Sequence, residues 1–227
     1  MNENPIDWGE LLIAWWGAEL APFTGTRKLR LWTIACCRRV LGVALADPSF
    51  FSDYCTHDAR LNDYWDDPNR PAAPVEAWHR QMELAERFAD GMSKKALAGQ
   101  RVESGGPWSL FHLPLSDSRM EAAEVVRTLR GFTRAYPVPT PDDFMRFTQD
   151  IFGNPFRSVA FDPRWRTEHT VGLAAKMYDD REFAAMPILA DALEEAGCEN
   201  ADILTHCREP GVHVRGCWVA DLVLGKA

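Results

Sequence analysis

Hydrophobic positions recur along this chain at spacings of three and four, and helices are what that period predicts. In the first segment, over residues 6–20, Trp8, Leu11, Leu12, Trp15 and Trp16 fall on one stripe, and Pro22 lies just beyond. The stretch "TGTRKLRLWTIACCRRVLGVALADP" predicts a central helix, with Thr24 or Thr26 as its cap and Pro48 as its end. Residues 49–74 mix aromatics with Asp, Asn and Pro and predict a solvated loop.

Residues 75–100 predict a helix, or two, broken near Gly91, with Trp78, Met82, Ala85 and Phe88 on the buried side. Residues 119–134 predict another, carrying Ala122, Val125, Val126, Leu129 and Phe132. The alternating prolines of "YPVPTPDD" hold the chain extended and mark a boundary near residue 138. Beyond it the pattern predicts helices over 141–151 and 169–178 and over "REFAAMPILADALEEAG", which Gly197 stops. Asn200 caps "ADILTHCR", and a last apolar helix in "GCWVADLVLGK" ends at Gly225. No segment alternates at period two for long enough to require a sheet. The expected fold is all-α, an irregular multi-helix bundle with long Pro/Gly-rich loops. Residues 1–138 form an N-terminal helical region and 139–227 a C-terminal helical module, with an interface or one continuous core between them.

Composition narrows the function classes. The chain has 227 residues, 46% of them hydrophobic, with a formal charge of −8 and nine tryptophans. That is enough apolar material for an ordinary core. The acidic balance argues against nucleic-acid binding over the whole surface, because neutralising phosphates takes an excess of Lys and Arg. The exception is local: Arg27, Lys28, Arg30, Arg38 and Arg39 lie on the central helix with no acid before Asp47. These arginines, Arg38 and Arg39 foremost, are either nucleic-acid contacts or partners of acids elsewhere in the fold. Trp15 and Trp16 either dock their helix onto the core or face a protein partner. No run of eighteen apolar residues is present, and the N-terminal stretch lacks a basic region before its apolar residues, so the expectation is a cytoplasmic protein without a membrane partner. Its six cysteines are then expected as thiols or ligands.

The candidate chemistry lies in "CENADILTHCREPGVHVRGCW", residues 198–218, with three cysteines and two histidines. Cys198, His206, His213 and Cys217 supply the four S/N donors of a structural zinc site, with Cys207 as a spare. His213 and Cys217 are an acceptable pair across a glycine-containing turn, whereas Cys198 and His206 flank a helix and lack the tight knuckle spacing. In the plainer reading there is no cofactor: Cys198 fills a small pocket, the histidines cap carbonyls and Trp218 anchors the last helix. A third reading makes Cys217, at a helix N-terminus, a nucleophile with His213 or His206 as its base. The adjacent Cys36 and Cys37 read as apolar filler of the central helix, or as one further donor. Walker, dinucleotide, H-E-x-x-H and G-x-S-x-G patterns are missing from the sequence.

The segments "DIFGNPFRSVAFDPRW" and "YDDREFAAMPILADALEEAGCENADILTHCREPGVHVRGCWVADLVLGK" resemble a C-terminal module found in large paralogous sets of uncharacterised planctomycete proteins. "RKLRLWTIACCRRV" and "AERFADG" resemble the N-terminal part of the same proteins. The central region departs from the Ala/Trp-rich stretches of that family. The resemblance implies a bacterial neighbourhood and assigns no residue a role. The function expected is a non-enzymatic interaction or scaffold protein with a protein partner. The alternatives are a small zinc-stabilised module, nucleic-acid binding through the 27–39 helix, and a Cys-dependent enzyme.

Overall fold

A computed structural model describes residues 26–46, 75–98, 140–153 and 159–226. Among the described residues there are eight α-helices and no strand, so the fold is all-α. The helices expected over 6–20 and 119–134, and the loop 49–74, lie outside the described residues. In sequence the chain divides into two compact units between Asp143 and Phe144.

In the first unit, α1 (Arg27–Ala46) packs on α2 (Val75–Ala89). Thr26 caps α1, its hydroxyl accepting the Leu29 N–H at 3.3 Å. Leu29, Leu31, Trp32, Ile34, Val40 and Leu41 are buried along α1, and Met82 and Ala85 answer them from α2. A fully buried Leu or Ile side chain contributes roughly 1.5–3 kcal/mol. Three of the five basic residues of α1 are bound to acids: Arg27 to Asp90 at 2.8 Å, Arg38 to Glu86 at 2.8 Å, and Arg39 to Asp143 at 3.1 Å. Arg30 lies over the Phe88 ring, 4.8 Å from its centroid. Cys36 and Cys37 are buried, and burial raises both thiols well above their ordinary range. After α2, Gly91 takes a left-handed backbone (φ +100°), and the chain restarts as the short α3 (Lys94–Ala98).

The second unit follows with α4 (Pro141–Phe152), whose first turn precedes the division, then α5 (Glu168–Asp180), α6 (Met186–Glu195), α7 (Ala201–Arg208) and α8 (Trp218–Leu224). Thr167 caps α5. The helix expected to start at Arg181 starts later. Arg181 sits in the left-handed region (φ 59°), a single 3₁₀ turn covers Phe183–Ala185, and α6 begins at Met186. Pro187 explains the shift: it has no N–H to donate and is preorganised for the first turn of a helix. The core gathers Met177, Met186, Leu189, Leu193, Ile203, Val219 and Val223 from α5 to α8.

Local stops aim the chain from α6 into α7. Gly197 (φ +89°) donates its N–H to the Glu194 carbonyl at 2.9 Å, and Cys198 donates its N–H to the Leu193 carbonyl at 2.9 Å. These two bonds form a Schellman turn, whose second residue past the helix customarily packs on the last apolar turn. That residue is Cys198, buried in the core. Two residues on, the Asn200 side chain accepts the N–H groups of Asp202 and Ile203 at 3.0 and 3.2 Å, so α7 starts at a fixed residue. Replacing Asn200 by Ala is expected to cost about 1 kcal/mol and by Gly only a few tenths. Urea denaturation of the two variants against the parent, at unchanged slope, measures both.

Candidate metal centre

α7 buries Ile203, Leu204 and Cys207 and ends at Arg208, which leaves His206 at the side of that buried face. The chain then turns through Glu209–Gly216 and enters α8, with Cys217 as the residue before the helix. Val214 accepts the Cys217 N–H on its carbonyl at 2.9 Å, and Cys217 in turn accepts the Asp221 N–H at 2.9 Å. This tight entry turn places the Cys217 side chain inward, beside the His213 ring.

Asp150, on the last turn of α4, closes the group. Its Oδ2 accepts the Val214 N–H at 2.8 Å, which leaves Oδ1 facing the two imidazoles. Oδ1 lies 2.7 Å from His213 Nδ1 and 3.3 Å from His206 Nε2. The same His206 Nε2 is 3.3 Å from Cys217 Sγ, and the same His213 Nδ1 is 4.0 Å from it. One donor atom from each of Asp150, His206, His213 and Cys217 thus lies within 4.8 Å of the other three, an arrangement that can hold a metal ion. All four belong to the second unit.

The shape of the group separates two kinds of chemistry. A nucleophile–base–acid relay uses opposite nitrogens of one imidazole, one toward the thiol and one toward the carboxylate. In this site a single nitrogen of each ring faces both. With the protons of those nitrogens and of the thiol displaced, the four donor atoms would converge on one point, which is a geometry suited to ligation. The thiol agrees: burial first, and the neighbouring Asp150 charge second, raise Cys217 well above the usual thiol range, against the opposing pull of N–H groups at Ala220 and Val219. Such a thiol is protonated unless a cation replaces its proton. Burial also acts to raise Asp150, but hydrogen bonds from His206 and His213 outweigh it and hold the carboxyl below its usual range.

Aromatic contacts frame the group. The His206 and His213 rings meet edge to face at 4.9 Å, and Trp218 lies 5.1 Å from His206. Trp218 also reaches the end of α4, where a Cβ at Gly153 (φ +67°) would stand 3.2 Å from the indole Cγ. Glycine is favoured there twice, by the left-handed backbone and by the close approach of the indole.

Of the donors named from sequence, His206, His213 and Cys217 come together here. Cys198 does not join them. It sits in the apolar core at the Schellman turn, and burial raises its thiol. Cys207, the spare, is likewise in that core, its thiol pushed up to about 12 by burial. Cys36 and Cys37 are not members of the group. The fourth donor, Asp150, escaped the sequence reading. Its one sequence signal is a position three residues after Phe147 and next to Ile151, both buried. Arg38 and Arg39 are held in the ion pairs described above, and Trp15 and Trp16 lie outside the described residues. Among the described residues, no helix is long and apolar enough to cross a membrane. No protein-family model, curated protein or solved structure matches this chain.

Two outcomes follow. Gly153→Ala is expected to lose about 1–2 kcal/mol from the left-handed backbone alone, read as a fall in melting temperature. Cys217 of the native protein is expected to resist alkylation by iodoacetamide at neutral pH and to react once the chain is denatured. Rapid native labelling, located by peptide mass, would instead mark a reactive nucleophile.

Proposed function

We propose that the C-terminal unit is a zinc-stabilised helical module and that the protein works as a non-enzymatic interaction or scaffold element. The convergence of four donor atoms from α4, α7 and the turn into α8 carries this reading. A tetrahedral zinc site, with bonds near 2.0–2.3 Å, spaces its donors roughly 3.3–3.8 Å apart. The contacts at 3.3 Å between His206 and Cys217 and between His206 and Asp150 already have that spacing. On binding, the 2.7 Å contact between Asp150 and His213 would open, the 4.0 Å contact between Cys217 and His213 would close slightly, and the wider separations, all within 4.8 Å, would close further.

Charge and donor type support the same ion. One carboxylate, one thiolate and two neutral imidazoles carry two negative charges, which a divalent cation cancels in a buried place. A thiolate with imidazoles suits zinc, whereas magnesium and calcium prefer oxygen donors throughout. The Val214 N–H keeps Asp150 Oδ2 occupied, so the carboxylate offers a single oxygen. Four protein donors leave no position for a substrate, which is the pattern of a structural site. The ion pairs of Arg27, Arg38 and Arg39 give the basic helix a structural role and weigh against nucleic acid as its partner.

The full-length, untagged protein is expected to carry one zinc per chain by elemental analysis, and its melting temperature is expected to fall when a chelator removes it. Free zinc at a thousand times its dissociation constant would stabilise the fold by about 4 kcal/mol. Cys217→Ser and Asp150→Ala are each expected to lose the zinc-dependent part of the melt. A protein free of metal whose melt ignores both zinc and chelator would refute this reading.

A further inference from the structure

The four donors close the site, yet they do not lie equally far from water. Side-chain exposure is 3% for Asp150 and 9% for His213, and Cys217 is sealed at 0%. His206 stands at 19%, the most open of the four. The inner donors are also the more firmly tied. Asp150 holds the Val214 N–H at 2.8 Å and His213 at 2.7 Å, and Cys217 is pinned by its backbone bonds at both ends of the entry turn. The polar contacts of His206 are longer, at 3.3 Å, and its ring is otherwise held by an edge-to-face contact with His213 and a tilted one with Trp218.

Charge sharpens the difference. Freeing Asp150 or Cys217 from a bound cation would leave a buried anion without its counter-charge, a costly state. Freeing His206 leaves a neutral ring at the edge nearest water. Resting on the zinc reading above, we propose that the site is an exchange site, with His206 as the leaving ligand. Through this edge a small chelator with nitrogen or oxygen donors receives the ion while the chain stays folded. His206 Nε2 releases its bond and a donor of the chelator takes the freed position. As further chelator donors bind, the His213 ring moves its proton from Nε2 to Nδ1 through water and donates it again to Asp150, and the Cys217 thiolate takes the proton that the chelator gives up on binding. No electron is transferred. Trp218 governs the step, because its indole backs the His206 ring and is itself held against Gly153.

The test uses zinc-loaded full-length protein mixed with excess 4-(2-pyridylazo)resorcinol at several concentrations, with zinc transfer followed by absorbance. The release rate is expected to rise with chelator concentration, as attack on a folded site requires. Trp218→Leu is expected to speed release by about tenfold, the low end of what loss of a ligand-supporting contact does, at one zinc per chain. Trp218→Phe, which keeps an aromatic face on His206, is expected to fall between the two and guards against misfolding of the leucine variant. A release rate independent of chelator concentration, or unchanged in both variants, overturns the exchange proposal and leaves the zinc site standing. A parent protein that binds no zinc overturns the zinc reading, and the exchange proposal with it.

Discussion

A buried carboxylate sets the terms for the second unit. An ionised side chain taken out of water is costly unless hydrogen bonds or counter-charge meet it. Asp150 is met on both oxygens, by the Val214 backbone on one and by two imidazoles on the other. Satisfying that one group requires the end of α4, the last turn of α7 and the 209–217 turn to arrive at the same place. The apolar core could tolerate some sliding of helices. The Asp150 contacts cannot, because hydrogen bonds fail within a few tenths of an ångström and at modest angles.

Capping is how the chain meets that demand. Gly197 and Asn200 fix where α6 stops and α7 starts, and so which residue of α7 reaches the carboxylate. At the far end, the Arg166 guanidinium donates to the Leu222 carbonyl at 2.9 Å and to the Val223 carbonyl at 3.2 Å, tying down the C-terminal carbonyls of α8. Tyr178 takes Arg215 on its ring at 4.3 Å and Lys226 at 4.1 Å, holding the turn and the end of α8 to α5. None of these contacts touches the donor group, yet each removes a freedom that would let His213 or Cys217 drift.

What could be read in the sequence follows the range of each signal. Caps, stops and apolar stripes act within a turn or two, and Thr26, Gly91, Asn200 and Gly225 mark their boundaries where the structure has them. The start of α6 is hidden in the sequence, because Phe183, Ala184 and Ala185 run straight into the apolar residues of the helix and mask the effect of Pro187. Three donors were visible because they crowd into one short segment. Asp150 was not, because it reaches His213 across 63 positions of sequence. In "PDDFMRFTQDIF" only its spacing from Phe147 and Ile151 sets it apart from the other acids, and that spacing names no partner. Cys198 drew attention by proximity in sequence, whereas helix-stop packing, which treats a thiol as a small hydrophobe, decided its place.

The contact between Gly153 and Trp218 binds two distant positions into one. A side chain at 153 would have to displace the indole, and a smaller residue at 218 would remove the reason for the glycine's bareness while leaving its left-handed backbone to favour it. Drift at these two sites is therefore not independent. Among descendants of this sequence, loss of the tryptophan should come first and license change at the glycine, and the reverse order should be rare.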